Sequence, residues 1–69
     1  MFNKGDIVRL LPNYRAGSKQ GPQNTYAGEL CEIMDVWLIG NTSYLGLKVS
    51  DRVTWLYVTD ESVELIYER

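Results

Sequence analysis

Apolar positions along this chain fall in short runs, punctuated by glycine, proline and asparagine. Gly5-Asp6 opens the first run, Ile7-Val8-Arg9-Leu10-Leu11, and Pro12 closes it. β-Branched residues that stop at a proline predict a strand over 5–11, with Val8 and Leu10 on one face and Arg9 on the other. From Glu29 to Ile39 both alternating faces carry apolar groups. A bent strand over 29–39 with a bulge near Asp35 accounts for this, Cys31 and Ile33 pointing inward before the bulge and Val36 after it. Gly40-Asn41-Thr42-Ser43 reads as a turn. Tyr44 to Val49 alternates cleanly, with Leu45, Leu47 and Val49 on one face and Tyr44, Gly46 and Lys48 on the other, which predicts a strand over 44–50. The short turn Ser50-Asp51-Arg52 then makes an antiparallel hairpin with a strand over 53–58. Thr59-Asp60-Glu61-Ser62 suits a single 3₁₀ turn, and 63–67 a last strand. No segment carries a helical stripe over three turns. The expected core comprises Val8, Leu10, Ile33, Leu47, Val49 and Leu65.

Residues 12 to 28 break the pattern. Asn13, Gly17, Ser18, Gly21, Pro22, Asn24 and Gly28 destroy any periodicity. A connection this long tends to serve a function or to lack fixed structure. It also carries Tyr14, Arg15, Lys19 and Tyr26, two cations and two amphipathic rings. Such groups are enriched where interfaces concentrate their energy. They are the candidate partner-binding residues, and Trp37 extends the surface if the second strand ends beside the loop. The competing expectation is that the tyrosines tuck inward and pin the loop to the body. Trp55 is expected in the core, where large rings fill much of a small domain.

Composition narrows the classes. With 69 residues, 45% of them hydrophobic, residues 1–69 are expected to form a single domain near the lower size limit for folding alone. One cysteine, Cys31, excludes an internal disulfide and points to a reducing compartment. The first residues have no apolar signal core and no run reaches the length of a membrane span, so a cytoplasmic location is expected. The net charge of −2 conceals an asymmetry. Up to Gly28, Lys4, Arg9, Arg15 and Lys19 against Asp6 give +3, whereas beyond it three cations face eight carboxylates, giving −5.

Lys4-Gly5-Asp6-Ile7-Val8-Arg9-Leu10 followed by Ala27-Gly28-Glu29-Leu30-Cys31-Glu32-Ile33 resembles the opening of KOW-type and related SH3-like small barrels. In these, a Gly-Asp-x-Val strand leads through a turn to glycine and an apolar strand. Thr59 to Ile66 resembles their 3₁₀ turn and closing strand. The resemblance covers about half the chain and implies an all-β, five-stranded SH3-like barrel with a long loop after its first strand. It carries over no functional residue. The Ala-Leu-Tyr-Asp-Tyr, Trp-Trp and Pro-Ser-Asn-Tyr signatures of proline-peptide-binding SH3 domains are absent, and the loop is much longer than a KOW turn. Stand-alone barrels of this size are similar in type to phage and mobile-element proteins, some of which inhibit host machinery.

Candidate chemistry is sparse. The chain has no histidine, so serine–histidine and cysteine–histidine catalysis has no base. Cys31 lies in an apolar strand and reads as a small core residue. Asp60-Glu61 are neighbours in a polar turn and read as solvated. Zinc lacks a ligand set, and the Asp-x-Asp-x-Asp-Gly pattern of a calcium loop is missing. Gly17-Ser18-Lys19-Gln20-Gly21 lacks the Gly-Lys-Ser/Thr order and the following helix of a phosphate loop. No enzyme activity, metal or cofactor is therefore expected. Three readings survive. The first is a small protein-interaction module or regulator that binds a protein through the 12–28 loop and nearby aromatics. The second is a KOW-like nucleic-acid-binding domain, against which an isoelectric point near 4.9 weighs. The third is a structural subunit that assembles as a homo-oligomer through its strand edges.

Overall fold

The structure, a computed structural model, describes residues 2–17, 20–49 and 55–68. Its strands are β1 (Ile7–Leu10), β2 (Leu30–Ile39), β3 (Thr42–Val49), β4 (Trp55–Thr59) and β5 (Val63–Tyr67), with a 3₁₀ turn at Asp60–Ser62 before the last. All five join one antiparallel sheet in the order β4-β3-β2-β1-β5. The class is all-β, and no helix among the described residues is long and apolar enough to cross a membrane.

Gly5 and Asp6 make the entry to β1. Gly5 takes φ +92°, a region open to glycine because it has no Cβ. Asp6 is fully buried, and its carboxylate accepts the Asn3 main-chain N–H at 2.9 Å. Its own carbonyl accepts the Ile33 N–H at 2.9 Å, joining the turn to β2. At the other end of β2 the chain reverses tightly. Ile39 pairs with Thr42, so the turn is Gly40-Asn41 alone, with Gly40 at φ +62°, and β3 begins two residues earlier than the polar stretch suggested. The expected turn at 50–52, and the start of the fourth strand at 53, lie outside the described residues.

One side of the sheet carries the core. Val8, Leu10, Ile33, Leu45, Leu47, Val49 and Val58 are fully buried, and Cys31 nearly so. One expected member is not in it. Leu65 is 40% exposed: it faces Val8 across the ladder, but β5 is an edge strand and no described residue pairs with it on its free side. Val36 keeps the inward side expected of it after the bulge, opposite the fully buried Leu45, with the β2–β3 register shifting between Ile33 and Asp35, but it is 37% exposed. Past the bulge the β2–β3 hairpin runs beyond the core, and Val36 lines an open groove of about 670 Å³ with Phe2, Lys4, Leu38 and Asp60.

The long segment after β1 also departs from its composition. Tyr14 and Ala16 are buried in the core. Tyr14 pairs with Gln23, whose N–H donates to the Tyr14 carbonyl at 2.8 Å, and the side chains of Asn13 and Asn24 bond to each other. Ala16 bridges Val58, with Gly17 N–H donating to the Tyr57 carbonyl at 2.6 Å and Thr59 N–H to the Arg15 carbonyl at 3.2 Å. Residues 15–17 therefore lie along the outer edge of β4.

Candidate functional site

The side of the sheet opposite the core owes its character to the bulge in β2. Before it, odd-numbered Cys31 and Ile33 point inward; one extra residue shifts the alternation, so that Asp35 and Trp37 pass to the outer side. Trp37 pairs with Tyr44, and Asp35 with Gly46. In β4, Val58 is fully buried and Leu56 packs against the core, which turns Trp55 and Tyr57 outward. Trp55 is 43% exposed, correcting its expected place in the core: Leu56 and Val58 take the inward positions of β4, and Trp55 alternates to the other side.

Trp37, Trp55 and Tyr57 form one exposed cluster. The Trp37 and Tyr57 ring centroids are 5.3 Å apart at 52°, and those of Trp55 and Tyr57 6.5 Å apart at 37°. These separations lie in the range of favourable tilted ring pairs. Gly46 is the floor beneath them. A Cβ there would stand 3.3 Å from Trp37 Cζ3 and 3.4 Å from Trp55 Cζ3, so the six-membered rings of both indoles converge over the bare backbone. Tyr57 has glycine on both sides, Gly46 across the β3–β4 ladder and Gly17 across the hydrogen bond to the loop. No side chain separates it from either neighbour.

Charges ring the cluster. Lys48 lies between Glu32 and Trp55 in register. Asp35 is 3.7 Å from the Lys4 ammonium, in an exposed pair that contributes little stability. Arg15 is exposed beside Thr59 and forms no ion pair with a described residue.

Of the residues singled out from sequence, Arg15 and Trp37 are exposed on this side, linked through β4 rather than through the end of β2. Tyr14 is only 2% exposed, and Tyr26 is partly buried against the core. Lys19 lies outside the described residues. Tyr57, Trp55 and Gly46 were missed as site residues. Gly46 was the available signal, a glycine inside a strand that otherwise alternates well, which marks a close approach by another group. No protein-family model, curated protein or solved structure matches this chain.

Proposed function

We propose that this chain is a small, non-enzymatic protein-interaction module on an SH3-like barrel framework, and that it docks a protein partner on its outer side around Gly46. The observation that carries the reading is the cluster of three large, exposed rings, Trp37 and Trp55 each paired with Tyr57, on the side of the sheet opposite the core. Clustered tryptophan and tyrosine offer much contact area at small conformational cost, and arginine at the margin adds a planar donor fork. The barrel framework is supported by the five-strand order, the 3₁₀ turn before β5, and residues 15–17 hydrogen-bonded along β4. The acidic remainder of the molecule would orient an acidic partner toward Arg15 and Lys48.

The test is affinity capture with three forms of the protein: wild type, Trp37→Ala with Tyr57→Ala, and Arg15→Glu with Lys19→Glu. A protein retained by wild type and lost from the ring-deleted form supports the reading, and a weaker, salt-sensitive loss from the charge-reversed form puts the loop at the margin of the site. Equal retention by the ring-deleted form overturns it. So does tight, salt-dependent binding of single-stranded oligonucleotide through the same rings, which belongs to a nucleic-acid-binding domain.

A further inference from the structure

The two edges of the sheet are treated differently. Residues 15–17 cover β4, whereas among the described residues β5 pairs only with β1. On this open edge, Leu65, Ile66 and Tyr67 are 40%, 43% and 62% exposed. An uncovered strand with three consecutive large apolar residues is a template for further pairing, and most edges are protected by charge or by a covering segment. Glu64 is the strand's one acidic residue, 3.7 Å from Arg9 on β1.

The hydrogen-bond phase decides which groups are available. Leu11 N–H donates to the Ser62 carbonyl at 2.9 Å. In an antiparallel ladder bonded and non-bonded pairs alternate, so Arg9 and Glu64 are the next bonded pair. Val63 and Leu65 stand opposite Leu10 and Val8 in the non-bonded positions, and their N–H and C=O groups point away from β1.

We infer that β5 is a self-association strand whose occupant is β5 of a second copy, antiparallel about a two-fold axis at Leu65. Charge selects this register. Centred on Glu64, the pairing sets two carboxylates opposite each other. Centred on Ile66, it sets Glu64 opposite Glu68 of the other copy. Centred on Val63, it leaves Ile66 opposite Asp60 in the 3₁₀ turn. Only the Leu65-centred register overlaps all five strand residues with no like charges facing, since it sets Glu64 opposite Ile66 and Val63 opposite Tyr67. Like charges directly opposite are destabilising, and a two-fold contact repeats the effect. The irregularity between Leu65 and Tyr67 falls at Ile66, so the joint rests on the two hydrogen bonds across Leu65 and on the packing of Leu65, Ile66 and Tyr67.

Sedimentation of the full chain over a range of concentrations tests the pairing, with circular dichroism to check that each variant folds. Wild type is expected to show a reversible monomer–dimer equilibrium. Leu65→Lys sets two ammonium groups across the axis and should give monomer. The Ile66 variants test the register. Ile66→Glu faces Glu64 of the other copy and should weaken the dimer about tenfold or more. Ile66→Lys creates an opposite-charge pair there, so it should keep the dimer and make it salt-sensitive. Trp37→Ala should leave the dimer unchanged, which separates this edge from the ring cluster. A wild type that stays monomeric throughout overturns the inference. So does a dimer that responds equally to Ile66→Glu and Ile66→Lys, or one indifferent to Leu65→Lys.

Discussion

The Ser62 hydroxyl accepts the main-chain N–H of Arg15 at 2.9 Å, across 47 residues of sequence. The same oxygen lies 2.8 Å from Thr59 Oγ1, and the Ser62 carbonyl accepts the Leu11 N–H. One buried serine in the 3₁₀ turn thus holds the start of the long segment after β1 against the sheet. Ser62→Ala strands the Arg15 N–H, at an expected cost of about 1–3 kcal/mol. Amide exchange at Arg15 and Gly17 should speed up more than in β2 and β3. Unchanged exchange at Arg15 would mean that the β4 bonds alone hold the segment.

Leu47 and Leu65 belong to the same predicted core but differ in burial, 0% against 40% exposed. Leu47→Ala should cost about 2–5 kcal/mol, close to the whole stability of roughly 3–5 kcal/mol expected of a domain this small. Leu65→Ala should cost about 1 kcal/mol or less in the monomer. Thermal melts at low protein concentration compare the two, and equal losses would contradict the exposed position of β5.

Strand existence was legible in the sequence because alternation and turn residues are local signals. The bulge in β2 was legible too, since a strand with apolar groups on both faces must shift its alternation partway to keep them in one core. What lay beyond reach was which element covers which face. Leu65 alternates like a core residue, and only the sheet order shows that it lies on an edge strand. Tyr14 sits among polar and glycine residues, yet it is buried because residues 15–17 pair with β4, a contact with no local signature. Trp55 read as core on its size, whereas the alternation of β4, with Leu56 and Val58 inward, turns it to the outer side.

Gly46 holds the ring cluster in its present form. Gly46→Ala requires both indoles to give by a few tenths of an ångström, which exposed side chains can do. Stability should then change by less than about 1 kcal/mol. Gly46→Val should displace Trp37 and Trp55 and alter the near-ultraviolet circular dichroism of the folded protein. A spectrum that survives Gly46→Val unchanged would show that the rings do not rest on this backbone.

Burial raises the Cys31 thiol from 9.0 to about 11, with a further push from Glu29. At neutral pH it is protonated, and native protein should react slowly with thiol reagents while unfolded protein reacts at once. The sign of the linkage follows. Between pH 9 and 11 the unfolded chain loses this proton and the folded one keeps it, so stability falls as pH rises through that window. The loss spans roughly two pKa steps of about 1.4 kcal/mol each. Comparing wild type with Cys31→Ala isolates the effect from other groups that titrate at high pH. Parallel stability curves for the two would remove the thiol as the cause.

The place of β1 between β2 and β5 bears on how the chain reaches its native state. β2, β3 and β4 follow one another in sequence and in the sheet, so their pairings close short loops. β1 instead waits for a partner from the opposite end of the described chain, Ile7 meeting Tyr67 and Leu10 meeting Val63. Contacts of such sequence separation are entropically expensive to form and slow folding. The β2–β4 meander is therefore expected to form before the β1–β5 ladder, which is the later step. Until that step, β1 and β5 both present bare edges. The interval before it closes is when aggregation competes most strongly with folding.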